Sequence, residues 1–216
     1  MEMERKVGYI DDNPEQFENY ERKLRRSGIK LICFSICDNK ADYIDQIYCH
    51  QVDALLIDYK MAGTIGYNGT SLISYINDMV ADLTCFILTA VETDQITDKL
   101  VANSHIYSKE IFDTEAGDSQ RVEAFQKFVA CLKNCAEVFE SRRNLKCAEY
   151  QKLLDRKRTG ELSVPEEEEF RRLYRVLSSY GMVERIPEDF LTSDFEKTLN
   201  KLLASSNAIL EQRTEG

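Results

Sequence analysis

The run Asp53-Ala54-Leu55-Leu56-Ile57-Asp58-Tyr59 constrains this chain more than any other stretch. Leu55, Leu56 and Ile57 are consecutive apolar residues rather than alternating ones, the pattern of a strand covered on both faces. Strands of that kind belong to parallel sheets, whose crossover helices pack on both sides. Asp58 closes the run at the point where the strand leaves the core. In an open parallel sheet the crevice at the carboxyl ends of the strands is where ligands bind. A carboxylate there is costly to bury alone, so it requires partners from elsewhere in the chain.

Three of the four other apolar runs supply them. Val7-Gly8-Tyr9-Ile10 runs into Asp11-Asp12-Asn13-Pro14, where Pro14 suits a first helical turn and Asn13 suits its cap. The helix that follows carries Phe17, Tyr20 and Leu24 on one face and ends at Gly28. Ile29 to Ile36 reads as a second strand, and Asp38 to His50 as a helix with Ala41, Ile44, Ile47 and Tyr48 inward. After Asp58 comes a glycine-punctuated loop, Gly63 to Gly69, then a helix from Thr70 to Met79. Thr84 to Thr89 is a strand, Glu92 to Asn103 a weakly patterned helix, and Ser104 to Ser108 a short strand ended by Lys109. A strongly amphipathic helix follows, with Phe125, Phe128, Val129, Leu132, Cys135 and Phe139 on its inner face. Strands and helices in strict alternation predict a doubly wound α/β domain with a five-stranded parallel sheet.

The apolar pattern of that last helix breaks at Ser141-Arg142-Arg143-Asn144, which places a domain boundary between residues 1–140 and 141–216. Nothing in Leu145 to Arg158 forbids helix, and Thr159-Gly160 would end it. Ser163-Val164-Pro165-Glu166 has the form of a capping box. Phe170, Leu173, Tyr174, Leu177 and Tyr180 make an apolar stripe ended by Gly181, and Ser193 starts a final helix with Leu199, Leu202, Leu203 and Leu210. The second part is therefore a small all-helical domain.

Charge separates the two parts. Residues 141–216 hold 14 basic and 14 acidic side chains against 28 and 38 in the whole chain, so the first part carries the entire net charge of −10. An acidic first part argues against nucleic acid as a partner and suits a bound cation. The neutral second part has no basic recognition helix, and Arg156-Lys157-Arg158 reads as a solvated helix end. Seven cysteines with no CxxC pair read as reduced thiols of a cytoplasmic protein. No apolar run approaches the length of a membrane span, and the N-terminus is not a signal peptide.

Singly, Asp11-Asp12 reads as a solvated strand end, Asp58 as a cap, Thr89 as a strand residue and Lys109 as a surface charge. In order, each at the carboxyl end of its own strand, they resemble the receiver domain of bacterial two-component response regulators, over roughly residues 5–140. The resemblance implies a flavodoxin-like sheet of receiver type. It implies that Asp11, Asp12, Asp58 and the backbone carbonyl of Lys60 hold Mg²⁺, a hard cation that prefers oxygen ligands and offsets carboxylate repulsion. Asp58 would be the nucleophile that takes a phosphoryl group from a phosphohistidine. Lys109 would neutralise charge on the transferring group, and the Thr89 hydroxyl would bond a phosphoryl oxygen afterwards. The implied partner is a sensor histidine kinase or a phosphotransfer protein.

Three positions depart from the family's pattern. Glu110 stands after Lys109 where Pro is usual. Ile106 stands where a switch aromatic is often found, with Tyr107 one position off. Lys60-Met61-Ala62-Gly63 replaces a Met-Pro turn with a longer, glycine-rich loop. Lys60 and Val91 occupy positions that influence how fast the aspartyl phosphate hydrolyses; Val91 has no group to orient a water, so slow self-dephosphorylation is expected. The second part has no histidine and a single cysteine, Cys147, and so lacks the groups of an enzymatic output. It fits a helical element that binds an effector protein or forms a homodimer. The other readings are a phosphate sink or relay without output, and a pseudo-receiver scaffold.

Overall fold

β3 (Ala54–Asp58) is buried along its whole length and lies between β1 (Arg5–Ile10) and β4 (Thr84–Thr89). With β2 (Ile29–Cys33) outside β1 and β5 (Ile106–Ser108) outside β4, the sheet order is β2-β1-β3-β4-β5, and all four pairings are parallel. The computed structural model describes residues 4–61, 65–91, 96, 98–114, 118–160 and 162–184. The doubly wound parallel sheet expected from the apolar runs is the observed one.

Helices cover both faces, as unbroken apolar strands require. α1 (Phe17–Arg25) and the first part of α4 (Ser119–Thr159) pack on the face carrying Val7, Tyr9, Leu56, Phe86 and Leu88, through Tyr20, Leu24, Phe128, Val129 and Leu132. α2 (Ala41–His50) and α3 (Gly69–Met79) bury Tyr43, Ile44 and Ile47, and Leu72, Ile73 and Ile76. α1 starts later than Pro14 implies, because Pro14–Gln16 form a separate 3-10 turn before it.

The helix expected over Glu92 to Asn103 is not found in its described part. Asp98 to Ala102 is irregular and Asn103–His105 is one 3-10 turn; residues 92–95 and 97 lie outside the described residues. The physical reason is Asp98, whose carboxylate accepts from Thr70 Oγ1 at 2.8 Å and Asn68 Nδ2 at 3.4 Å, tying the segment to the start of α3. Side-chain hydrogen bonds of this kind compete with helix formation. β5 is shorter than expected, at three half-buried residues, since Asn103–His105 is taken up by that turn.

The chain divides into two compact units after Arg143, and α4 runs unbroken through the division to Thr159. In the second unit the end of α4 meets α5 (Val164–Ser179) in antiparallel order: Lys146 with Tyr180, Tyr150 with Phe170, Arg156 with Glu166. The Ser163–Glu166 capping box starts α5, and Gly181, at φ 67°, ends it with its N–H on the Ser178 carbonyl. Phe170, Leu173, Tyr174, Leu177 and Tyr180 are all buried there. The final helix expected from Ser193 lies outside the described residues.

Candidate functional site

The parallel register decides which strand ends meet. Ile10 pairs with Ile57, so Asp11 leaves β1 beside Asp58. Asp58 pairs with Leu88, so Thr89 stands one step further on, and Thr89 pairs with Ser108, which puts Lys109 just beyond it. Four strand ends thus deliver the sequence-predicted residues to one edge of the sheet.

Asp11, Asp12 and Asp58 each present a carboxylate oxygen, all within 4.8 Å of one another. Asp11 and Asp58 are buried and Asp12 is half-buried. Carboxylates packed this closely repel, and the cation that answers them here is Lys109. Its Nζ lies 2.7 Å from Asp11 Oδ2 and 2.8 Å from Asp58 Oδ1. Burial pushes the Asp58 carboxyl above the ordinary range, against the pull of the Lys109 hydrogen bond and charge, with Asp11 adding to the rise. Burial would lower the Lys109 ammonium, but its bonds to Asp11 and Asp58 outweigh that and raise it. Lys109 therefore stays a charged donor to both carboxylates.

The backbone holds the two carboxylates in fixed orientations. Asn13 N–H donates to Asp11 Oδ1 and Lys60 N–H donates to Asp58 Oδ2, each at 2.8 Å. Lys60 thus adjoins Asp58, with an exposed side chain. The loop after it returns tightly. Gly69 N–H bonds the Tyr59 carbonyl at 3.0 Å, and a Cβ at Gly69 would stand 2.1 Å from the Asp58 carbonyl oxygen. Only glycine allows α3 to begin this close to Asp58. Tyr67 of the same loop donates to the Cys37 carbonyl at 2.6 Å, joining the loop to the one after β2.

Thr89 is fully buried, and its Oγ1 accepts from Val91 N–H at 3.0 Å, within its own loop. The aromatic near it is on the other side of the sheet. Tyr107 pairs with Leu88, while Thr89 pairs with Ser108, and side chains alternate faces along a strand. Tyr107, half-buried, accordingly packs against the core under α4, on Phe128 at 4.7 Å and Phe86 at 6.1 Å. Ile106 occupies the Thr89 face. Glu110 is exposed and is the second residue of a 3-10 turn, Lys109–Phe112, where its N–H donates to Ser108 Oγ at 3.2 Å.

Sequence reasoning missed Tyr9. It is fully buried, and its hydroxyl donates to Asp11 Oδ2. Burial, and then the bond to Asp11, raise its pKa, so it remains a donor. The signal was present: Tyr9 precedes Asp11 by two residues, so both side chains share one face of the strand.

No helix among the described residues is long and apolar enough to cross a membrane. No family model matches the chain, and no curated protein matches it. Solved structures similar to it include three bacterial proteins. One is the signal receiver domain of an HD domain-containing protein from Pseudomonas fluorescens, at 14% identity and TM-score 0.47, covering 67% of this chain and 95% of that one. Another is the response regulator TrrA from Thermotoga maritima in complex with Mg²⁺-BeF, at 16% identity and TM-score 0.41, covering 58% and 98%. The third is the RcsB response regulator of Salmonella typhimurium, at 16% identity and TM-score 0.44, covering 85% and 95%.

Proposed function

We propose that this chain is a phosphoacceptor signalling protein in which Asp58 takes a phosphoryl group from a phosphohistidine of a sensor kinase or phosphotransfer protein. The observation that carries the reading is Lys109, whose one amine bridges Asp58 and Asp11 at the edge where three carboxylates converge. An Asp58 oxygen attacks phosphorus, an O–P bond forms, the N–P bond of the donor breaks, and its electron pair returns to the imidazole nitrogen. Lys109 moves its charge toward the phosphoryl oxygens, and Lys60 N–H keeps the Asp58 carboxylate oriented.

The donor set, oxygen throughout and acidic, fits Mg²⁺. Asp11, Asp12, Asp58 and the Lys60 carbonyl would hold it, and when bound it supplies positive charge to the transferring group. Val91, half-buried beside Thr89, has no group to orient water, so the aspartyl phosphate hydrolyses slowly. The chain acts as an acceptor rather than as an enzyme on other substrates, and as a cytoplasmic protein. Its helical part binds an effector protein.

A second reading, a phosphate sink or relay without output, is favoured by one observation: Tyr107 packs against the core, on Phe128, on the face opposite Thr89. Incubation with acetyl phosphate and Mg²⁺ tests the acceptor role. Wild type becomes labelled, with a lifetime of minutes or longer, and Asp58→Asn does not; absence of label from any small donor overturns it. Pull-down with and without beryllofluoride separates switch from sink, and sizing in both states shows whether a homodimer responds.

A further inference from the structure

Tyr9 has no task in that chemistry, yet its hydroxyl is bonded to the most buried carboxylate of the site. The ring is fixed on two sides, by Phe17 at 5.9 Å and by Tyr20 edge-on at 6.0 Å, and Tyr20 is in turn stacked on Phe112 at 4.1 Å. The hydroxyl therefore points at Asp11 from a rigid mount. Asp11 Oδ2 accepts from both Tyr9 and Lys109, while Oδ1 accepts from Asn13 N–H. The Asp11 side chain is 1% exposed, so water cannot replace a lost donor.

Lys109 is committed to Asp11 and Asp58 together. To meet phosphoryl oxygens on Asp58 it must loosen its hold on Asp11. With Lys109 as sole donor, that movement would strip a buried carboxylate oxygen. We propose that Tyr9 is a positioning residue: its hydroxyl fixes the Asp11 carboxylate for a divalent cation and keeps Oδ2 partnered as Lys109 turns to the phosphoryl group. The second half of this statement rests on the phosphoacceptor reading, and the first half does not. Outer-shell hydrogen bonds to metal-binding carboxylates act in this way, and their loss typically weakens metal affinity or activity by about tenfold or more.

Tyr9→Phe removes the hydroxyl and leaves the ring stack in place. The test titrates the full-length chain with Mn²⁺ and follows the free-ion signal by electron paramagnetic resonance. Tyr9→Phe is expected to raise the Mn²⁺ dissociation constant about tenfold. Tyr20→Phe, which removes a hydroxyl from the same stack, is expected to change it less than about twofold. At saturating Mg²⁺, Tyr9→Phe is further expected to slow labelling by acetyl phosphate about tenfold. Equal Mn²⁺ affinity in wild type and Tyr9→Phe overturns the proposal, and so does an equal loss in both variants, which assigns the effect to packing. An unchanged labelling rate at saturating Mg²⁺ overturns the role in Lys109 release. A wild type that binds Mn²⁺ in a Tyr9-dependent way but takes no label refutes the phosphoacceptor reading and leaves the fixing of Asp11 standing.

Discussion

Asp53 and Asp58 stand at opposite ends of β3, buried to a similar degree at 7% and 4% exposure. Burial pushes both carboxyls above the ordinary range, and each has a basic side chain nearby. Asp53 accepts Lys6 N–H at 3.1 Å and faces Arg143 at 3.6 Å. Those contacts tie β1 and α4 to the amino-terminal edge of the sheet. Asp58 faces two further carboxylates, and its lysine is shared with one of them. The difference teaches that burial and a shifted pKa do not make a site. What sets Asp58 apart is convergence: three carboxylates meet there and two of them share one lysine, the arrangement the proposed acceptor chemistry uses.

The contrast is broken most readily at its two basic groups. Lys109→Ala leaves two buried carboxylates without their ammonium and is expected to cost about 3 kcal/mol in urea unfolding without metal. Arg143→Ala, at a longer and looser contact, is expected to cost under about 1 kcal/mol. Added Mg²⁺ should restore part of the Lys109→Ala loss and none of the Arg143→Ala loss, because three carboxylates converge at the Asp58 end and it is there that the proposed cation would bind. Equal costs at the two ends would erase the distinction.

Next in size is Gly69→Ala. Its methyl would meet the Asp58 carbonyl rather than a pliable side chain, so α3 must retreat from the site. A loss of about 1–3 kcal/mol is expected, with labelling slowed beyond what the lost stability explains. Native-like labelling in a stable Gly69→Ala protein would show that Asp58 tolerates displacement.

The smallest effect concerns pH at the structural end. Asp53 has a folded-state pKa above its unfolded value of about 3.9. Its contribution to stability is therefore fully present below that value and is lost as pH rises through the raised one. Asp53→Asn keeps an acceptor for Lys6 N–H and removes the charge. It should match wild type in acid and become the more stable of the two by neutral pH, with labelling unchanged. A pH-independent difference would mean that Arg143 and Lys6 already balance the burial.

The sheet and the acidic edge were legible because both are written in one kind of signal, an apolar run that ends in a polar residue. Val7–Ile10, Leu55–Ile57 and Phe86–Leu88 carry it clearly, and parallel register does the rest. Tyr9 was hidden because an aromatic inside a strand reads as core filling, which it also is. The segment after Thr89 was misread because Asp98 spends its carboxylate on Thr70 and Asn68, a long-range choice that helical periodicity cannot reveal. The path from Thr89 was hard to read for a related reason. One position separates Ile106 from Tyr107, and in a strand one position is a change of face.

The measurement that bears most directly on Asp58 is chemical trapping. The chain is incubated with acetyl phosphate and Mg²⁺, reduced with borohydride, which converts an aspartyl phosphate to homoserine, and mapped by peptide mass spectrometry. Homoserine is expected in place of Asp58, with Asp53, Asp11 and Asp12 intact, and no conversion in Asp58→Asn. Conversion at another aspartate, or none in a folded protein that binds Mg²⁺, would contradict it.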